Sequence, residues 1–336
     1  MRLERLALSE WDGALPDQGT EPFHAPEALG VLDEHTPGEL QLFAGYNGDR
    51  PVALLPVFSR STPLGRILTS PPPGMGVSRL GPVLMPASPK RSKREKLNRE
   101  FTDLVIEATR ADSKATLLRM MCPTAYGDPR PYVWDGLDVD PLWTYRLTVD
   151  GRSTDDLLAA ASKSLRREIT DAAALDVTVE REGLDGTRAV FDETRKRYAE
   201  QGEALSVSWP YVRDLVKAMR ETDRARTYVA RDGEGRFLTG ITVLYSNDAA
   251  YFWQGGTRCV HDGVAVNGLL HWNVIEDIAE DPPRPSVGSY DLLGANTERL
   301  SRYKSKFGST LTPYYVVESS GIGMTAAKKA YELVGR

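Results

Sequence analysis

The sequence predicts an α+β protein of two domains, and three observations lead there. Its 336 residues exceed a comfortable single core when domains cluster at about 100–150 residues. The second half alternates helical and strand periods in the order β, α, β, α, α, β, β, β, α, β, α, β. Within that order, three consecutive strands separated by turn signals read as an antiparallel meander.

In the first half, a strand is expected at Leu3–Leu8 and a helix at Ala25–Glu34. Leu40–Tyr46 and Arg50–Phe58 are β-formers around the turn Asn47-Gly48-Asp49, a hairpin signal. Ser59–Pro89 holds Pro71–Pro73 and scattered glycines, which exclude long helices and leave loops with short strands. Ser92–Arg110 places Leu97, Phe101, Leu104, Val105 and Ala108 on one helical stripe, and Ala115–Met121 is β-like. The Pro-, Gly- and Asp-rich Pro123–Leu142 reads as the crossover, so the domains are 1–142 and 143–336. Fragments of one element order recur in both halves, as in a degenerate tandem repeat.

In the second half, Trp143–Val149 is a strand, followed by one helix from Ser153 to Ala172 with a capping-box start. A short strand at Val177–Glu180 and helices at Asp185–Glu200 and Trp209–Met219 come next. The meander is Arg226–Arg231, Arg236–Tyr245 and Ala250–Gln254. Asn267–Glu280 is a helix, Ser289–Leu293 a buried strand, Thr297–Phe307 a helix ended by Gly308, Thr312–Glu318 a strand and Thr325–Val334 a final helix.

Hydrophobic residues at 41% and charged residues at 26% are those of a soluble globular chain. No apolar run approaches the ~20 residues of a membrane span, and the N-terminus has no secretory core, which predicts a cytoplasmic protein. Cys122 and Cys259 lack CxxC partners, and the four histidines lack ligand spacing, so no metal is expected. The net charge of −5 argues against general nucleic-acid binding. The run Lys90–Arg99 is read as a solvated helix start.

The stretch Ser289–Gly308, a strand ending in Gly, a short helix and then Tyr303-Lys304…Phe307-Gly308, resembles the closing signature of Fem-like GNAT acyltransferases. Phe23–Pro26, the hairpin Leu42–Phe58 and Lys163–Ala172 match the same family in the same order. The resemblance implies a tandem GNAT-like fold, with the second half better preserved. It also implies an N-acyltransferase moving an acyl or aminoacyl group from an activated donor to an amine. Acyl-CoA is one candidate co-substrate. However, the Arg/Gln-x-x-Gly-x-Gly/Ala turn that holds its pyrophosphate at a helix start is replaced by Trp253–Asn267, which lacks that spacing. The alternatives are an aminoacyl-tRNA-dependent transferase and a non-catalytic module that keeps the fold.

Direct transfer needs aligned substrates, oxyanion stabilisation and a proton acceptor, with no covalent nucleophile. Lys304 is the expected contact for donor phosphate or the oxyanion, and His271 the expected base, with His261 as a second choice. Lys163, Arg166 and Arg167 share a helical face suited to phosphates of a small-molecule or nucleotide-linked amine, or of tRNA. Trp253 and Gln254 end the third meander strand on opposite faces by simple alternation, and Asn267, Tyr303 and Lys306 complete the expected substrate contacts. The acceptor is expected in the cleft between the halves.

Overall fold

The computed structural model describes residues 1–63 and 65–321, so the expected helix Thr325–Val334 lies outside the described residues. The chain divides into two units: Met1–Leu142 with the described part of Pro313–Arg336, and Trp143–Thr312. Among the described residues, no helix is long and apolar enough to cross a membrane.

Unit 1 opens with β1 (Arg2–Leu6), α1 (Leu8–Trp11) and α2 (Pro26–His35), where Pro26 occupies a tolerated first-turn position. Then follow β2 (Glu39–Asn47), β3 (Arg50–Thr62), β4 (Gly65–Ser70), β5 (Val83–Leu84), α3 (Arg91–Thr109), β6 (Thr116–Met121) and α4 (Arg130–Trp134). The Asn47–Arg50 pairing confirms the hairpin, because Gly48 at φ 62° adopts the left-handed turn geometry. Strands β1, β2, β3 and β4 pair antiparallel in sequence, and β4 pairs parallel with β6. A parallel pair needs a crossover, and α3 supplies it. Its stripe Leu97, Phe101, Val105 and Ile106 is buried, each such side chain contributing roughly 1.5–3 kcal/mol.

Unit 2 contains β7 (Asp138–Thr148), α5 (Thr154–Ala160), α6 (Lys163–Ala173), β8 (Val177–Glu182), α7 (Leu184–Glu200) and α8 (Trp209–Arg220). The expected meander is β9 (Ala225–Asp232), β10 (Phe237–Tyr245) and β11 (Ala250–Gly255). A small hairpin, β12 (Val260–His261) and β13 (Val264–Ala265), leads into α9 (Asn267–Glu280), β14 (Ser289–Asp291), α10 (Glu298–Lys304) and β15 (Thr310–Glu318). Strands β8 to β11 pair antiparallel in sequence, and β11 pairs parallel with β14 across the α9 crossover. Unit 2 therefore repeats the plan of unit 1.

Of the sixth strands, only that of unit 1 comes from a distant part of the chain. β7, which follows unit 1 in sequence, pairs antiparallel with β14, while β15, from the end of the chain, pairs antiparallel with β6. The described residues from Pro313 onward accordingly belong to unit 1, whereas the sequence reading ran the second domain to 336.

The single helix expected over Ser153–Ala172 is two. Ala161 is extended, Ser162 donates its backbone N–H to Lys306 O at 2.7 Å, and its Oγ caps α6 by accepting from Leu165 N at 3.2 Å. A tertiary hydrogen bond thus replaces helix continuity.

Candidate functional site

The site of unit 2 begins where two parallel strands part. β11 and β14 pair only at Ala250↔Tyr290 and Tyr251↔Asp291. On the other side of β11 the ladder with β10 jumps from Val243↔Phe252 to Thr242↔Gln254, so Trp253 is an extra, bulged residue. Beyond Tyr251 the edge of β11 that faced β14 has no ladder partner among the described residues.

The bulge corrects the simple alternation. Phe252 packs edge-on against His271 of α9 at 4.9 Å, while Trp253 meets Tyr211 of α8 at 6.5 Å. Gln254 sits opposite Thr242, whose hydroxyl lies 3.2 Å from that of Thr227, itself 2.8 Å from Thr187 of α7. Gln254 thus shares the helix α7 and α8 face with Trp253, and its buried Oε1 has no hydrogen-bond partner among the described residues. At Gly255, φ is +100° and a Cβ would lie 2.2 Å from Gly240 O, so the strand end requires glycine.

After β14 the chain turns through Leu293 at φ 48° and Gly294 at φ 54°. A left-handed Leu costs roughly 1–2 kcal/mol, and two side chains hold it. The fully buried Asp291 accepts from Leu293 N at 2.9 Å and from the Thr144 hydroxyl. Lys304, one residue after Tyr303 in α10, donates from Nζ to Leu293 O and, at 2.9 Å, to Gly294 O. The ammonium also lies 5.7 Å from the centre of the Phe252 ring. Burial lowers its pKa to about 8, against which the Asp291 carboxylate acts.

His271 lies beside Lys304 as a core residue. It is 2% exposed, enclosed by Phe252, Tyr290, Tyr303 and Phe307, and its Nδ1 lies 3.0 Å from Tyr290 Oη. Burial, then the Lys304 charge, lowers its pKa to about 3, so it is neutral and a weak proton acceptor at ordinary pH. Between about pH 6.5 and 3 the unfolded chain binds a proton that the folded chain refuses, so stability falls as pH falls through this window. His24, whose pKa burial lowers to about 4, acts in the same sense. His271→Phe is expected to flatten part of this acid limb in urea midpoints measured from pH 7 to 4. An unchanged slope would show that His271 titrates normally.

The remaining expected residues divide. The Asn267 side chain is committed to the loop before α9, accepting from Cys259 N at 2.8 Å and donating to Gly256 O at 3.2 Å and Thr257 O at 2.9 Å. It clamps backbone. Lys306 pairs with Glu168 of α6 at 3.2 Å, tying the chain after α10 to α6. Tyr303 packs on His271 and Phe307, and its buried hydroxyl has no hydrogen-bond partner among the described residues. On α6, Arg166 folds back onto Ala159 O at 2.7 Å and exposed Arg167 meets Asp171 at 3.3 Å. Lys163 is exposed at the helix start. The cationic face is therefore partly neutralised. His261 is carried by the β12–β13 hairpin, 3.9 Å from Asp262.

Asp291 and the left-handed Leu293 turn were not singled out from sequence. The only signal was an acid inside an apolar strand, in Tyr290-Asp291-Leu292-Leu293-Gly294.

Residues 159–305 match the model of the acetyltransferase (GNAT) domain. Unit 2 has the GNAT fold. The whole chain has the tandem, Fem-like arrangement of that fold, a mixed sheet flanked by helices. FemX superposes with a TM-score of 0.68 at 13% identity, covering 94% of this chain and 97% of that one. L-PGS from Bacillus licheniformis gives 0.58 at 13% identity, covering 99% and 98%. A tandem GNAT protein from the clavulanic acid biosynthesis pathway gives 0.52 at 15% identity, covering 96% and 100%. At such identities these likenesses show the fold. No curated protein sequence matches the chain. The strand parting at Tyr251 and the Lys304 turn both lie within the matched GNAT segment.

Proposed function

We propose that the GNAT domain of unit 2 transfers an acyl or aminoacyl group from an activated donor directly to an amine. The position of Lys304 carries this reading. Its buried Nζ has three donors, two of which are taken by Leu293 O and Gly294 O, beside an open strand edge. The third is free for the oxyanion that forms when an amine attacks the donor carbonyl, and burial strengthens that interaction. The free edge of β11 would align the donor by main-chain hydrogen bonds. With His271 neutral and enclosed, the amine proton passes to the departing oxygen or sulfur within the tetrahedral intermediate.

A donor other than coenzyme A is the favoured form of this reading. The first turn of α9, where a pyrophosphate would sit, is buried at Asn267, Gly268 and Leu269. Leu165 of α6 lies across it, within 3.1 Å of where a Gly268 Cβ would be. The same Gly256–Asn267 loop is closed by the Asn267 hydrogen bonds.

Thermal unfolding with acetyl-CoA, longer acyl-CoAs and aminoacyl-tRNA tests both points. A donor present at 100 times its Kd stabilises the folded state by about 2.7 kcal/mol. The expected result is a shift with aminoacyl-tRNA, none with acetyl-CoA, and transfer of the aminoacyl group to an amine. A shift with acetyl-CoA would reverse the donor assignment. No shift and no transfer with any donor would leave a binding module that keeps the fold.

A further inference from the structure

Unit 2 holds a cluster of side-chain oxygens that the transfer step does not use. Its floor is the end of β11 and the chain leaving it, Gln254–Thr257, and its wall is α7. Glycines let the two approach closely: a Cβ on Gly255 would lie 2.7 Å from Val190 Cγ1, and one on Gly240, in the neighbouring strand, 2.5 Å from Val190 Cγ2. Glu193 lies one helical turn beyond Val190. Burial raises the pKa of this half-buried carboxyl, while the Thr257 hydroxyl beside it and the charges of Arg197 and Lys196 act in the opposite sense. Burial, then the Glu193 charge, raises the pKa of the Cys259 thiol, so the loop after β11 closes a third side.

The oxygens of this cluster are short of donors. Gln254 is 8% exposed, and its buried Oε1 has no hydrogen-bond partner among the described residues. The Thr257 Oγ1 is buried and unpartnered in the same way. Glu193 makes no ion pair among the described residues, since Lys196 turns to Glu200 at 4.0 Å and Arg195 to Asp192 at 3.2 Å. A buried acceptor without a donor is costly, and a ligand that brings donors removes that cost. A primary ammonium brings three N–H donors, no acceptor, and the charge that a carboxylate matches.

That ammonium is not the nitrogen that is acylated. An attacking amine must be uncharged, and it must approach a carbonyl whose oxygen faces Lys304. Lys304 lies by Phe252 on the α9 side of β11, whereas Gln254 lies on the α7 side. From the three oxygens and their place across the strand from Lys304, we infer that the acceptor carries a second, charged amine, held by Glu193, Gln254 and Thr257 while its free amine attacks at the parted edge of β11. The pocket fixes which molecules are acylated and takes no part in making or breaking bonds. The inference rests on the transfer reading for the fate of the free amine; the ammonium pocket stands without it.

Isothermal titration of the full chain with hexamethylenediamine, and separately with hexanediol, tests the pocket without any donor. The diamine is expected to bind, and the uncharged diol of the same length is not. Glu193→Gln is expected to weaken diamine binding by about tenfold or more, since it removes the charge-assisted contact. Glutamine keeps the shape of glutamate, so an unchanged thermal midpoint will verify folding. Thr257→Val, a second variant of unchanged shape, should weaken binding by a smaller factor. In transfer assays with the donor that the thermal shifts select, kcat/KM is expected to favour hexamethylenediamine over hexylamine by about tenfold. Glu193→Gln should level the two amines, whereas Lys304→Met should lower both in the same proportion. The inference is overturned if diamine and diol bind alike, if neither binds, if Glu193→Gln binds the diamine as the parent does, or if the preference for the diamine survives Glu193→Gln. Diamine binding that Glu193→Gln abolishes, with no transfer to any amine, would overturn the transfer reading and leave the ammonium pocket in place.

Discussion

Lys304→Met is expected to lower kcat/KM for acyl transfer by about 10²–10³, the usual consequence of losing one preorganised oxyanion donor. The residue must be protonated to act, and burial has brought its pKa down to about 8. The parent protein is therefore expected to show a descending limb in kcat/KM near pH 8. Lys304→Arg, which cannot be deprotonated in this range, should move that limb to higher pH if the longer side chain still reaches the turn. A purely structural clamp on Leu293 and Gly294 would behave differently, because its loss would lower stability and leave the pH profile in place.

Stability gives a separate readout of the same group. The folded pKa lies below the unfolded value of 10.5, so between about pH 8 and 10.5 the unfolded chain binds more protons. Stability contributed by this lysine therefore rises with pH across that window, by on the order of 3 kcal/mol, and the methionine variant should lack the rise. Denaturant midpoints of the two proteins compared from pH 7.5 to 9.5 will show it. Parallel curves would mean that Lys304 is better solvated than its burial indicates.

Arg79→Met is expected to destabilise unit 1 by about 3–5 kcal/mol. Arg79 and Glu21 form a two-point ion pair, Nε to Oε1 at 3.0 Å and Nη2 to Oε2 at 3.1 Å, with side chains 0% and 2% exposed. The Arg79 guanidinium also lies 5.1 Å from the Tyr314 ring, on the strand that the end of the chain contributes to unit 1. Removing one partner leaves a buried charge uncompensated, whereas replacing both can be close to neutral. The double variant Glu21→Gln, Arg79→Met should accordingly recover a large part of the loss in urea unfolding. A single variant within about 1 kcal/mol of the parent would show that water reaches Glu21.

Local signals carried most of the element order. Asn47-Gly48 marks its hairpin, the stripe Leu97, Phe101, Leu104, Val105 and Ala108 marks α3, and the three β-rich runs from Arg226 to Gln254 mark the meander. Each depends on periodicity or turn chemistry within about a dozen residues, which a linear reading captures. The helix break at Ser162 escaped because its cause, Lys306 O, is more than a hundred residues away.

The candidate site was legible in type and less so in role. Lys304 was singled out as a donor contact, but a lysine facing two carbonyls and a lysine facing solvent have the same local sequence. His271 looked available as a base, and only its enclosure by four aromatic rings makes it neutral. The face of Gln254 was misjudged because one bulged residue reverses alternation, and bulges are set by neighbouring strands.

By itself the sequence determined the α+β class and the repeated element order, because these reside in short-range patterns. Tertiary structure alone decided the pairing of β15 with β6 of unit 1, the parting of β11 from β14, and the protonation behaviour of the groups beside it. Strand pairing depends on partners far away in the chain, and a pKa depends on the water that those partners exclude.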